Sequence, residues 1–177
     1  GIRGSSTTEI IFENVRVPAS ALLGEVNAGF KIAMDTLDGG RIGIASQAVG
    51  IGQACLDASI KYAGEREQFG RPLSAFQAIQ FKIADMSTRL EAARLLVRKA
   101  AWLRDNQMSC TQAAAQAKLS ASLTANFCAD ECLQIHGGAG YTDDFQVERL
   151  FRDARITEIY EGATDIQRIV ISRNLLG

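Results

Sequence analysis

Apolar positions recur at alternating steps of four and three along most of the chain, the period of an α-helix buried along one face. From Phe30 the series runs through Met34, Leu37, Arg41, Ile44, Ala48, Ile51, Cys55, Ala58 and Tyr62. A second series runs Phe76, Ile79, Ile83, Met86, Leu90, Ala93, Val97 and Ala100. Spacing sustained over several heptads predicts long helices packed at shallow angles, over residues 28–64 and 74–105. Phe69-Gly70-Arg71-Pro72 breaks the pattern between them, and Ser74 is a candidate cap for the second helix.

A third run, 111–136, is rich in Ala and Ser, so neighbouring helices can approach it closely, and it stops at Gly137-Gly138. A shorter amphipathic stretch covers Phe145 to Arg155. The last helix is expected over 164–176, its start Thr164-Asp165-Ile166-Gln167 fitting a capping box. The fold class is all-α, an antiparallel four-helix-type bundle with extra short helices. One β-branched run, Thr8 to Val17, closed by Pro18, reads as a single strand preceding the bundle. A lone strand is not stable by itself. Residues 1–18 are therefore expected to be the end of another domain, with 19–177 the bundle domain.

Composition narrows the function. Hydrophobic residues are 47%, charged residues 22% and the formal net charge −1, without a long basic run, which argues against nucleic-acid or anionic-membrane partners. No apolar stretch approaches a membrane span. Cys55, Cys110, Cys128 and Cys132 do not form a compact disulfide framework, so reduced thiols in an intracellular protein are expected. Cys128, Cys132 and His136 share a helical face, but residues eight apart on a helix lie about 12 Å apart, too far for one metal ion. No metal site is expected.

Two residues break the pattern. Arg41 sits in an apolar seam, where an unpaired charge is costly. It can pair with Asp38 one turn back, or face a ligand or catalytic carboxylate, and spacing leaves both open. Gly39, Gly40 and Gly43 surround it in mid-helix, where each glycine costs about 1 kcal/mol relative to alanine. Something is expected to come close to the backbone there. Glu161 lies just before the last helix. It is either a solvated loop carboxylate or a base held beside a helix amino terminus, where the dipole favours its charge. Gln134-Ile135-His136-Gly137-Gly138-Ala139-Gly140-Tyr141 follows a helix, so it lacks the strand-turn-helix context of a dinucleotide fingerprint.

Three segments, in the family's order along the chain, resemble the acyl-CoA dehydrogenase family, the likeness spanning essentially the whole chain. They are Gln134 through Asp153, with Asp144, Arg149 and Asp153 at its spaced charged positions; Arg66-Glu67-Gln68-Phe69-Gly70; and Tyr160-Glu161-Gly162 followed by Ile166-Gln167-Arg168. The resemblance implies a three-domain enzyme of which this is the carboxy-terminal helical bundle, with FAD as cofactor. Arg66, Phe69 and Gln77 would reach the flavin of a neighbouring subunit. Gln134, Gly137 and Gly138 would lie against its adenosine and pyrophosphate, with Thr164 and Asp165 also at the cofactor.

The implied reaction is α,β-dehydrogenation of an acyl-CoA thioester, with Glu161 as the base that takes the α-proton and its backbone N–H polarising the thioester carbonyl. Leu37, Asp38, Gly39, Gly40, Arg41, Tyr160, Gly162 and Arg173 would contact the substrate. In some relatives the base comes from the first long helix, just before the arginine. Gly40 stands there in this chain, which with Thr36 through Gly43 looks most like the short-chain and short-branched-chain members. Ala163 departs from the threonine many members carry after Glu-Gly. Implied partners are an electron-transferring flavoprotein and further copies of the chain, as a dimer or tetramer. The implied compartment is the mitochondrial matrix in a eukaryote or the cytoplasm in a bacterium. Alternatives are an inactive oligomerisation or flavin-contact module, an acyl-CoA oxidase, or a glutaryl-CoA dehydrogenase relative.

Overall fold

The computed structural model describes residues Gly1–Gly177. The helices are α1 (Gly29–Glu65), α2 (Gln77–Asp105), α3 (Thr111–His136), the single turn α4 (Gly138–Tyr141), α5 (Val147–Ile156) and α6 (Thr164–Leu176). Between α1 and α2, strands β1 (Glu67–Gln68) and β2 (Arg71–Pro72) pair antiparallel. The all-α bundle expected from spacing is therefore formed, with α3 packed on α1, α2, α5 and α6.

Small side chains let α3 occupy that central place. Ala45, Ala48 and Cys55 of α1 share one core with Ala117, Ala121, Ala125, Cys128 and Cys132 of α3. Met86, Leu90 and Ala93 close it from α2. At Gly52 a Cβ would lie 2.7 Å from Leu90 Cδ2 and 3.6 Å from the Ala125 Cα, so three helices converge there and a side chain would have to displace Leu90.

Several expectations are corrected. Phe30 and Met34 belong to the apolar series but are exposed, because no element of this chain packs against the first turns of α1. Residues 8–17 form no strand, as no second strand is at hand to pair with them. Ser74 does not cap α2: it lies in a 3-10 turn, Leu73–Ala75, and its carbonyl accepts from Gln80 Nε2 at 2.9 Å. The break 69–72 is a tight hairpin whose turn residues Phe69 and Gly70 both have positive φ, 53° and 74°, the pattern of a type I′ turn.

All four cysteines are buried and unpaired, and burial pushes the Cys128 thiol up to about 12. His136 Nδ1 bonds to the Cys132 carbonyl at 2.8 Å. No helix is long and apolar enough to cross a membrane.

The meeting point at Gly52 predicts a coupling. Gly52→Ala forces Leu90 aside and costs about 1–3 kcal/mol, and Leu90→Ala leaves a cavity costing about 2–5 kcal/mol. The double variant should lose less than the sum, because each substitution relieves the other. Urea denaturation of the three variants measures this; strict additivity would show that the two sites are not in contact.

Candidate active site

The segment between α5 and α6 is held in a conformation that its sequence does not favour. Glu161 has φ +53° and Gly162 φ +88°. A left-handed conformation costs a non-glycine residue about 1–2 kcal/mol, so surrounding contacts must offset it. Lys118 of α3 donates from Nζ to the Gly162 carbonyl at 2.7 Å. Gln167 of α6 donates from Nε2 to the same oxygen at 2.8 Å and to the Glu161 carbonyl at 3.3 Å. The Thr164 N–H and hydroxyl both donate to the Glu158 carbonyl. Gly162 is required twice over, by its φ and because a Cβ would meet Gln167 Nε2 at 2.5 Å. The expected capping box is thereby corrected: Ala163 is the cap residue, without a side-chain bond, and Gln167 serves the loop instead.

This turn sets the Glu161 carboxylate against α1. A Cβ on Gly40 would lie 2.4 Å from Glu161 Oε2, so glycine at position 40 makes the room the carboxylate occupies. Gly39 faces the Arg104 guanidinium in the same way, at 3.3 Å, whereas Gly43 faces open space. One turn along, Arg41 Nη1 donates to Asp38 Oδ1 at 2.7 Å, and Asp38 Oδ2 accepts from Thr111 Oγ1 at 2.6 Å. The local pair open in the sequence is thus formed, and it borders a cleft of about 390 Å³ shared with Met34, Thr111 and Val170. Arg41 Nε remains a buried donor without a partner. Leu37 is half-buried beside Asp38. The Tyr160 hydroxyl bonds to Gln47 of α1, and burial raises its pKa, the Gln47 bond opposing.

A second group gathers at the other end of α3. Arg66, Gly137 and Gly138 line one groove of about 300 Å³ with Tyr62, Leu73 and His136. Gly137, at φ 59° and ψ −139°, has a backbone open only to glycine, and it ends α3. His136 stacks on Tyr62 with ring centroids 4.1 Å apart. The hairpin thrusts Phe69 outward, 92% exposed, with its ring edge toward Phe76. Gln77 and Gln134 are exposed and do not line the groove. Asp165 is exposed and paired with Arg168 at 2.7 Å, and Arg173 is exposed in the last turn of α6.

Two groups that build the site were not assigned to it from the sequence. Lys118 is fully buried, and burial lowers its pKa, with Glu158 and Glu161 opposing and Arg41 adding to the shift. The signal was available, since Lys118 is the lone charged residue among positions 111–129. Gln167, also fully buried, was assigned to a cap rather than to the loop.

A sequence profile described as "Acyl-CoA dehydrogenase, C-terminal domain" matches residues 27–176. The chain belongs to the acyl-CoA dehydrogenase family. It is 57% identical over 176 residues to the short-chain specific acyl-CoA dehydrogenase, mitochondrial, of Bos taurus, covering 99% of this chain and 43% of that protein. Among solved structures it is similar to butyryl-CoA dehydrogenase from Megasphaera elsdenii, with TM-score 0.93 and 50% identity over 94% of this chain and 44% of the other. It is equally similar, with TM-score 0.93 and 54% identity over 94% and 44%, to a chain in a structure described as electron transferring flavoprotein of Acidaminococcus fermentans. The chain thus spans less than half the length of these family relatives.

The Asp38–Arg41 pair predicts a non-additive mutational response. Asp38→Ala leaves a buried guanidinium without its carboxylate and should destabilise by about 3–5 kcal/mol. Arg41→Met leaves the buried Asp38 carboxylate with only its Thr111 bond and is costly for the same reason, whereas the double variant removes both charges and should lose clearly less than the sum. Strictly additive losses in chemical denaturation would show that the pair is no more than two separate packing positions.

Proposed function

We propose that this chain is the carboxy-terminal bundle domain of an FAD-dependent enzyme that performs α,β-dehydrogenation of acyl-CoA thioesters, with residues 1–18 ending the domain before it. The observation that carries this is the Glu161 carboxylate, fixed against Gly40 by a turn whose two carbonyls are held by Lys118 and Gln167. A base must be held where the substrate's α-proton arrives, and a carboxylate on a pinned loop set against α1 meets that need. The Asp38–Arg41 pair beside the cleft offers charge and hydrogen-bonding groups to a polar thioester ligand, with Leu37 as an apolar contact and Tyr160 as a further polar one. The backbone N–H of Glu161 polarises the thioester carbonyl, favouring enolate-like charge as the α-proton leaves. Gly39, Gly40 and Gly162 contribute backbone contacts to the substrate, and Arg173 contributes at its outer end.

The groove at the end of α3 suits a dinucleotide. Arg66 enters no ion pair, and a Cβ on Gly137 or Gly138 would meet nothing within 4 Å, so a pyrophosphate could approach the backbone closely. Arg66, Gly137 and Gly138 would hold it there, with Gln134, Phe69, Gln77, Thr164 and Asp165 as further contacts, some of them toward a neighbouring subunit's cofactor. FAD supplies the hydride acceptor when bound. Exposed Phe81, Leu95 and Trp102 on α2 support assembly with further copies, as a dimer or tetramer. The similarity to the Acidaminococcus structure supports an electron-transferring flavoprotein as electron acceptor. Relatives from bovine mitochondria and from a bacterium support a matrix or bacterial cytoplasmic setting.

In the full-length enzyme, Glu161→Gln should slow flavin reduction by butyryl-CoA about 10²–10⁴-fold, the contribution of a positioned base, while substrate binding survives. Stopped-flow bleaching of the flavin is the measurement, and a rate within a few-fold of the parent would remove Glu161 from the role. The chain by itself should bind FAD weakly, because one open groove covers little of a dinucleotide. Sub-micromolar affinity in a fluorescence titration would contradict this.

A further inference from the structure

Lys118 is fully buried in the central helix, yet none of the ion pairs in the molecule includes it. A buried ammonium without a carboxylate partner is less favourable than an apolar side chain of the same length, so packing alone does not account for lysine here. Its Nζ reaches 44 residues along the chain to the Gly162 carbonyl, 2.7 Å away. Gln167 Nε2 donates to the same oxygen at 2.8 Å, so that carbonyl has a second donor. What Gln167 cannot supply is charge. The charged groups facing Lys118 are Glu158 and Glu161 from the α5–α6 loop and Arg41 from α1. Of the two carboxylates, Glu158 is already paired with Arg155, at 3.1 Å. Glu161 enters no ion pair of its own and lies next to the residue whose carbonyl Lys118 holds.

We infer that Lys118 is a positioning residue for the Glu161 carboxylate: its charge-assisted bond to the Gly162 carbonyl pins the left-handed Glu161–Gly162 turn over Gly40. This rests on the assignment of Glu161 as the base. A base acts only from the geometry in which it meets the proton, so loosening the turn lowers the rate of α-proton removal while the substrate's own contacts stay in place.

The test uses the full-length flavin-loaded enzyme and flavin reduction by butyryl-CoA. In Lys118→Met the limiting rate of flavin reduction should fall about 10–100-fold, the scale of a misplaced reacting group, while substrate affinity stays within a few-fold of the parent. Lys118→Arg, which keeps a charged donor, should recover much of that rate. A limiting rate unchanged in Lys118→Met, or rate and affinity lowered together, overturns the inference. So does failure of both variants to retain flavin, which would make Lys118 a residue of stability alone. Glu161→Gln, measured alongside, separates the two proposals. If it leaves the rate intact, the base assignment has failed and this inference with it. If it abolishes the rate while Lys118→Met leaves the rate unchanged, only the role of Lys118 has failed.

Discussion

The close contact between α1 and α3 is the constraint on which the rest of the structure depends. It is made by alanine, glycine and cysteine, side chains too small to hold two helices apart. Because α3 lies so near α1, a lysine stem from α3 reaches the loop before α6, and that loop in turn meets the glycines of α1. Larger residues along this face would move the α3 framework away from α1 and take the loop from Gly40. The alanine-rich sequence of α3 is therefore tied to the site as well as to the core.

Polar groups inside this contact are few and specific. Lys118 and Gln167 are both fully buried, and both spend their donors on carbonyls of the Glu161–Gly162 turn. Buried donors need acceptors, and a turn with two successive positive φ values turns its carbonyls toward the bundle where those donors lie. The strain of Glu161 and the burial of Lys118 are thus two sides of one arrangement. Neither would persist without the other, since each is unfavourable in isolation.

The helices were legible in the sequence because their spacing is long and regular. Residues 111–136 and 164–176 match the observed helices end to end, and Gly137 stops α3 as its residue type suggests. The same periodicity misled at Phe30 and Met34, where apolar spacing runs on beyond any packing partner. Thr8–Val17 has strand-like residues, but a strand is a property of a pair. The caps assigned to Ser74 and to Thr164 with Gln167 failed for a related reason, since a local hydrogen-bonding pattern gives way when a tertiary partner is available. For Gln167 that partner is the pair of loop carbonyls. The neighbourhood of Arg41 and the three glycines was readable as a place of close approach, and Gly39 and Gly40 bear this out. Which group approaches was not readable, because Glu161 lies over a hundred residues further on, and only the fold brings it there.

Position 40 and position 161 address a single volume. The Cβ that Gly40 lacks would fall 2.4 Å from Glu161 Oε2, inside any permitted contact. A side chain at 40 and a glutamate at 161 in its present conformation therefore exclude each other. An acidic side chain on α1 at position 40 and a carboxylate placed as Glu161 is would therefore be alternatives. The helix and the loop offer different control over a carboxylate placed in that volume. On α1 its backbone would be fixed by the helix. On the loop its backbone depends on Lys118 and Gln167, so groups at a distance set its place. The glycine on α1 is what opens the volume to the loop.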